Sequence, residues 1–249
     1  GEDLFMRQLL IIGDSIMKGV MNDDGKYRLC RDHDFSSLTA NEIQVDNASK
    51  MGATIESIQP VLKKKLAGLN EQSTVLFSLG GNDCDYDWSK ISEDPDGTFQ
   101  PHTPNDRFLS LYRDAIRAAQ ETGAKVAVAS ILPLDSERYF DFITKDRDRG
   151  NILHWLGDVN HLYRWQEYYN SLVCTLARVF GCRLVDLRSR FLCRSDFPSL
   201  LSCDGIHPSQ QGHDLIHTSV AAALDTLYAL QYPDAEYRNN VFIDVPEEG

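Results

Sequence analysis

Three short segments carry the side chains best suited to chemistry. Gly13-Asp14-Ser15-Ile16 closes an apolar run, and a serine at a strand-to-helix turn presents its hydroxyl at the edge of a sheet. Its own N–H then lies at a helix N-terminus, where negative charge is favoured. That suits a nucleophile whose attack creates an oxyanion. Taken alone, the same residues also read as an ordinary helix cap, because Asp and Ser are preferred there. Gly80-Gly81-Asn82-Asp83 closes another apolar run. Its glycines allow a sharp turn, and the Asn82 amide can donate into a site; alone, it is a common Gly-Asn turn. Asp204-Gly205-Ile206-His207-Pro208 stands near the C-terminus. A histidine acting as base must be held in one tautomer, which a carboxylate on its other nitrogen achieves. Alone, this segment is a turn with a solvated histidine.

The elements around these segments decide whether they can meet. Leu9–Ile12, Ile43–Val45, Val75–Leu79, Val126–Ile131 and Arg183–Leu187 read as strands, several of them continuous apolar runs of the kind buried on both faces. Between them the apolar spacing of three and four predicts helices: Ile55 to Leu69, Phe108 to Ala119 with Gly123 as C-cap, Leu162 to Val179 ending at Gly181, and Leu215 to Leu227. Strand–helix alternation calls for a parallel sheet between helical layers, joined by right-handed crossovers. Chemistry in such sheets gathers beyond the carboxyl ends of the strands, where all three segments converge. Two connections, 84–104 and 134–158, far exceed the usual length of about 2–6 residues. They leave from the same end and are rich in aromatics, so they read as lid-like loops, with Trp88 and Trp155 as candidate substrate-binding residues.

In chain order the segments bring a serine, an amide donor and an acid–base pair. Here the sequence resembles the SGNH, or GDSL, hydrolases. The family's first block matches Gly13-Asp14-Ser15-Ile16, with Ile where Leu is usual. The block after it is similar to Asn47 with Gly52-Ala53-Thr54, the loosest match of the four. The family's Gly-x-Asn-Asp block matches Gly80-Gly81-Asn82-Asp83, and its Asp-x-x-His block matches Asp204-Gly205-Ile206-His207. The resemblance implies a three-layer α/β/α sandwich with a central five-stranded parallel sheet, flavodoxin-like, in strand order 2-1-3-4-5. It also implies Ser15 as nucleophile, His207 as base and then acid, and Asp204 as orienter. The implied oxyanion hole comprises the N–H groups of Ser15 and Gly52 and the Asn82 amide.

The expected activity is hydrolysis of a carboxylic ester through an acyl-serine, without cofactor or metal. A short acyl group, acetyl above all, on a carbohydrate fits the aromatic connections. A lysophospholipase or thioesterase, an acyltransferase, or a non-catalytic relative that binds an acylated sugar are the alternatives. A net charge of −12, with 37 acidic against 25 basic residues, opposes phosphate recognition, so neither nucleic acid nor anionic membrane is an expected partner. Lys63-Lys64-Lys65 reads as a solvated helix face.

The chain of 249 residues, 42% of them apolar, reads as one domain. Residues 1–5 lack the basic segment of a signal peptide and read as an added scar before Met6; removal of a signal peptide would leave a similar start, so export is the alternative. The six scattered cysteines suggest reduced thiols and a cytoplasmic location. Other patterns carry less. The Gly13 segment is neither a Walker loop nor a G-x-S-x-G elbow. Asp83, Asp85 and Asp87 have calcium-loop spacing, but Trp88 stands where the turn needs glycine. His213 and His217 lie one helical turn apart without a third ligand. Lys145-Asp146-Arg147-Asp148-Arg149 reads as a wet loop face.

Overall fold

A computed structural model describes residues 7–39 and 42–229. The first strand, β1 (Arg7–Gly13), leads into a single helical turn, α1 (Ser15–Lys18). A hairpin of β2 (Val20–Asp23) and β3 (Lys26–Leu29) follows, then a short turn, α2 (Ser36–Thr39). The remaining strands are β4 (Ile43–Asn47), β5 (Ser73–Ser78), β6 (Lys125–Ala129) and β7 (Arg183–Val185). With β1 they form a parallel sheet in the order β4-β1-β5-β6-β7, the 2-1-3-4-5 arrangement expected.

The continuous apolar strands are explained by burial on both faces. Leu10, Ile12, Val75, Phe77, Val126 and Val128 turn to one side, under α3 (Gln59–Leu66) and α5 (Asn105–Glu121). Leu9, Ile11, Leu76, Ala127 and Ala129 turn to the other, as strand alternation requires.

The two long connections carry helices of their own. The first contains α4 (Trp88–Glu93); the other contains α6 (Ser136–Thr144) and α7 (Arg149–Leu156). Asp87, Asp135 and Asp148 each cap one of these helices by accepting a backbone N–H, a local signal the sequence carries. Together with the start of α8 (His161–Val179) they form a separate apolar cluster that includes Tyr86, Trp88, Phe140, Ile152 and Leu162. The charge run at 145–149 is exposed, as expected, and forms the connection between α6 and α7, tied back to this unit by two arginines. Arg147 Nη1 donates to Ile143 O at 2.9 Å, and the Arg149 guanidinium lies 4.3 Å from the centre of the Phe140 ring.

Other boundaries also move. The helix expected from Ile55 begins at Gln59, with Pro60 in its first turn. Thr54 and Ser57 instead bond each other's backbone in a turn, while Ile55 and Ile58 are buried all the same. The fifth strand ends at Val185; Asp186 accepts from Ser189 N and starts α9 (Leu187–Leu192). The last helix, α10 (Gln210–Ala229), includes the expected segment, although the Leu227 side chain lies outside the described residues. So does the expected scar at 1–5. Among the described residues no helix is long and apolar enough to cross a membrane.

Candidate active site

The site lies beyond the carboxyl ends of the strands. Ser15 is the first residue of α1, and the Asp14 carboxylate accepts from Ile16 N at 2.9 Å, capping that turn. The cap reading and the nucleophile reading therefore apply to adjacent residues rather than competing for one. Gly13 allows close packing here, since a Cβ would meet Met17 Cβ and Ser49 Oγ at 3.0 Å.

Ser15 Oγ lies 3.1 Å from His207 Nε2. On the far side of the ring, His207 Nδ1 lies 2.6 Å from Asp204 Oδ2. Asp204 Oδ1 also accepts from the N–H groups of Ile206 and His207, at 3.1 and 3.0 Å. Burial pushes this carboxyl up, but the His207 ring and these N–H donors outweigh it and hold Asp204 below its ordinary value. With Nδ1–H committed to the carboxylate, Nε2 is free to accept the Ser15 hydroxyl proton. Gly205 makes the tight turn between the pair: its φ is +74°, and a Cβ would meet Arg138 Cβ and Asp135 O at 2.7 Å.

A fourth donor to Asp204 was not foreseen. Asn22 Nδ2, on the β2–β3 hairpin, donates to Asp204 Oδ2 at 3.0 Å, while Asn22 N bonds Ser202 Oγ. The hairpin also sets Tyr27 edge-on to the His207 ring, with centroids 5.5 Å apart. The signal that could have found it is Asp24-Gly25, whose φ values of 50° and 83° form the two-residue turn such a pair prefers.

Asn82 follows β5, and its Nδ2 donates one hydrogen to Ala53 O at 3.0 Å. The other hydrogen remains for the cavity. Gly52, at φ +74°, lines that cavity together with Asn82 and Ser15. Asn47, in the same sequence block as Gly52, ties the end of β4 to α1 by donating to Met17 O at 2.8 Å.

The three spaced aspartates diverge. Asp83 accepts from Ile55 N and Thr103 Oγ1, Asp85 from Trp88 Nε1 and Tyr139 OH, and Asp87 caps α4. Burial raises Asp83 to about 6 and Asp14 to about 7. His213 turns its Nε2 to Val20 O at 2.9 Å, and burial lowers it to about 4.

From Ser15 a cavity of about 280 Å³ extends under the α4, α6, α7 and α8 helices. Trp88 lines it as expected. Trp155 does not: it packs edge-on against Tyr86, at 4.9 Å between ring centroids, and donates to Gly97 O. Its place is taken by Trp165, which donates to Cys84 O at 2.8 Å. Trp165 read only as one apolar position of a helix, because which helical face meets a cavity depends on distant segments.

A three-layer sandwich with this site at its strand ends is the architecture of an SGNH hydrolase. The profile of the GDSL-like lipase/acylhydrolase family matches residues 11–215, and the chain belongs to that family of carboxylic ester hydrolases. Solved structures with a similar fold include a lipase/acylhydrolase from Enterococcus faecalis, 18% identical, covering 89% of this chain and 97% of that one with a TM-score of 0.59. A variant of Axe2, an acetyl xylan esterase from Geobacillus stearothermophilus, is 16% identical over 88% of this chain and 94% of its own, with a TM-score of 0.62. TesA is 20% identical over 88% and 99%, with a TM-score of 0.57. Among curated proteins no sequence matches.

Proposed function

We propose that Ser15 is the nucleophile of an ester hydrolase working through an acyl-serine. The observation that carries the reading is the continuous chain from Ser15 Oγ to His207 to Asp204, at 3.1 and 2.6 Å, opening on a cavity. Ser15 Oγ attacks the ester carbonyl carbon while His207 Nε2 takes its proton. The N–H groups of Ser15 and Gly52 and the free Asn82 amide hydrogen receive the oxyanion, where preorganised donors act on developing charge. Collapse expels the alcohol, which takes the proton from His207, and water repeats the sequence on the acyl-enzyme. Asp204 stays ionised throughout and stabilises the imidazolium.

For the substrate we infer a short acyl group, acetyl above all, carried on a carbohydrate or similar polyol. The cavity mixes aromatic rings (Tyr86, Trp88, Trp165) with polar side chains (Asp85, Gln166), a combination suited to stacking on sugar rings and bonding their hydroxyls. The likeness to an acetyl xylan esterase supports the same reading. A competing reading, a longer acyl chain as in a thioesterase or lysophospholipase, is favoured by Leu132, Leu134, Leu156 and Leu162 along the same walls.

Hydrolysis of p-nitrophenyl esters from acetate to decanoate, by wild type and Ser15→Ala, tests both. We expect turnover to fall about 10⁶-fold in the variant and an optimum at acetate. Equal rates in the two proteins would remove Ser15 as nucleophile. An optimum at octanoate or longer would replace the acetyl reading with the long-chain one.

A further inference from the structure

Gln166 lies on the face of α8 turned to the cavity and is only 7% exposed. Its Oε1 accepts from Arg188 Nη1 at 3.0 Å. Arg188 is itself 3% exposed and donates from the same nitrogen to Ile131 O at 3.1 Å. The Glu167 carboxylate lies against its Nε, and the Tyr163 ring faces its Cζ at 4.8 Å. A guanidinium has only donors, so the Gln166 oxygen must face Arg188 and the amide cannot flip. Nε2 is thereby directed away from the guanidinium, and it donates to no acceptor among the described residues, although the side chain lines the cavity.

An oriented amide donor on a side chain that lines the cavity, with no protein partner of its own, is available to a bound ligand. Ile131 follows β6, which lies two strand spacings, about 10 Å, from β1 and Ser15. The donor therefore stands at a substrate's far end rather than at the reacting carbon. No Lys or Arg is among the described residues lining the cavity, so an anionic limb would find no countercharge and an uncharged oxygen is the fitting acceptor.

We propose that Gln166 is a specificity-determining residue that donates from Nε2 to a neutral oxygen, a hydroxyl, ether or ring oxygen, on the alcohol limb of the ester, and that Arg188 is the positioning residue that orients it. This rests on the proposed ester hydrolysis and deepens its substrate class.

The test is the ratio of kcat/KM for two nearly isosteric esters, diethylene glycol monomethyl ether acetate and heptyl acetate, which differ only by ether oxygens. An acetylated methyl glucoside is assayed alongside. We expect Gln166→Leu to lower the ether-to-alkyl ratio about tenfold, chiefly through KM. Gln166→Glu keeps the contact with Arg188 and the side-chain shape, and should lower the ratio as well because it offers no donor; it serves if the Leu variant folds poorly. Arg188→Met should lower the ratio too, by freeing the amide to turn. A ratio unchanged in both Gln166 variants overturns the proposal. If the glucoside is not hydrolysed but the ratio still falls, Gln166 stands and the carbohydrate reading fails.

Discussion

At the Ser15 end of the cavity, the proposed catalytic side chains are held by polar contacts within short turns. Asp14 caps Ile16, Asp204 holds His207 three positions away, and Asn82 reaches the neighbouring loop at Ala53. At the Trp165 end the walls come from four helices, two of them inside one long connection, joined by rings packed edge to face. Hydrogen bonds fix atoms to within tenths of an ångström, which is what proton transfer requires. Apolar packing tolerates exchange at constant volume, which suits a binding wall that sets specificity. The difference teaches that the chemical end is specified by bonding geometry and the binding end chiefly by volume, with Trp165 and Gln166 as its bonded exceptions.

Substitutions at the two ends should therefore fail in different ways. Asp204→Asn should lower kcat about 10⁴-fold by imposing the wrong His207 tautomer, with the fold intact by circular dichroism; turnover equal to wild type would show that another group orients the ring. At the binding end, Phe140 is 1% exposed within the helical cluster and does not line the cavity. Phe140→Ala should cost about 3–5 kcal/mol in urea unfolding while kcat on a small ester at saturation stays within about tenfold. A large loss of kcat without loss of stability would dissolve the distinction between the ends.

Asn82→Ala should lower kcat about 10²–10³-fold by removing one oxyanion donor. A change confined to KM would reassign Asn82 to the binding wall.

The smallest expected effect separates the ends by pH. Asp83 is fully buried and raised to about 6 from an ordinary 3.8, so its contribution to stability is complete below about 4 and lost as pH rises through 6. An asparagine stays neutral, so Asp83→Asn should gain about 2–3 kcal/mol on wild type between pH 4 and 8. Thermal unfolding across that range reads it directly; parallel curves would mean that Asp83 ionises without penalty.

The sheet was legible because strands buried on both faces must be apolar at successive positions, as at Leu9–Ile12 of β1 and Val75–Phe77 of β5. The proposed catalytic segments were legible for a related reason. A nucleophile at a strand end and a histidine beside its carboxylate need particular residue types at short, constant spacings, so Ser15, Asn82, Asp204 and His207 announced themselves locally. Signals of the same local kind went unread: Asp24-Gly25 specifies the hairpin, and the capping aspartates mark α4, α6 and α7.

What the tertiary structure alone decided depends on residues far apart in the chain. Asn22 meets Asp204 across 182 positions, and Trp165 meets Cys84 across 81. Trp165 rather than Trp155 faces the cavity because α8 packs its apolar face against both the sheet and the capping helices. Gln166 is oriented only because Arg188 arrives from the first turn of α9. The raised Asp14 and Asp83 carboxyls likewise follow from burial created by the whole fold. Backbone geometry and hydrogen-bonding chemistry are written within a few residues; desolvation and long-range packing exist only once the layers close.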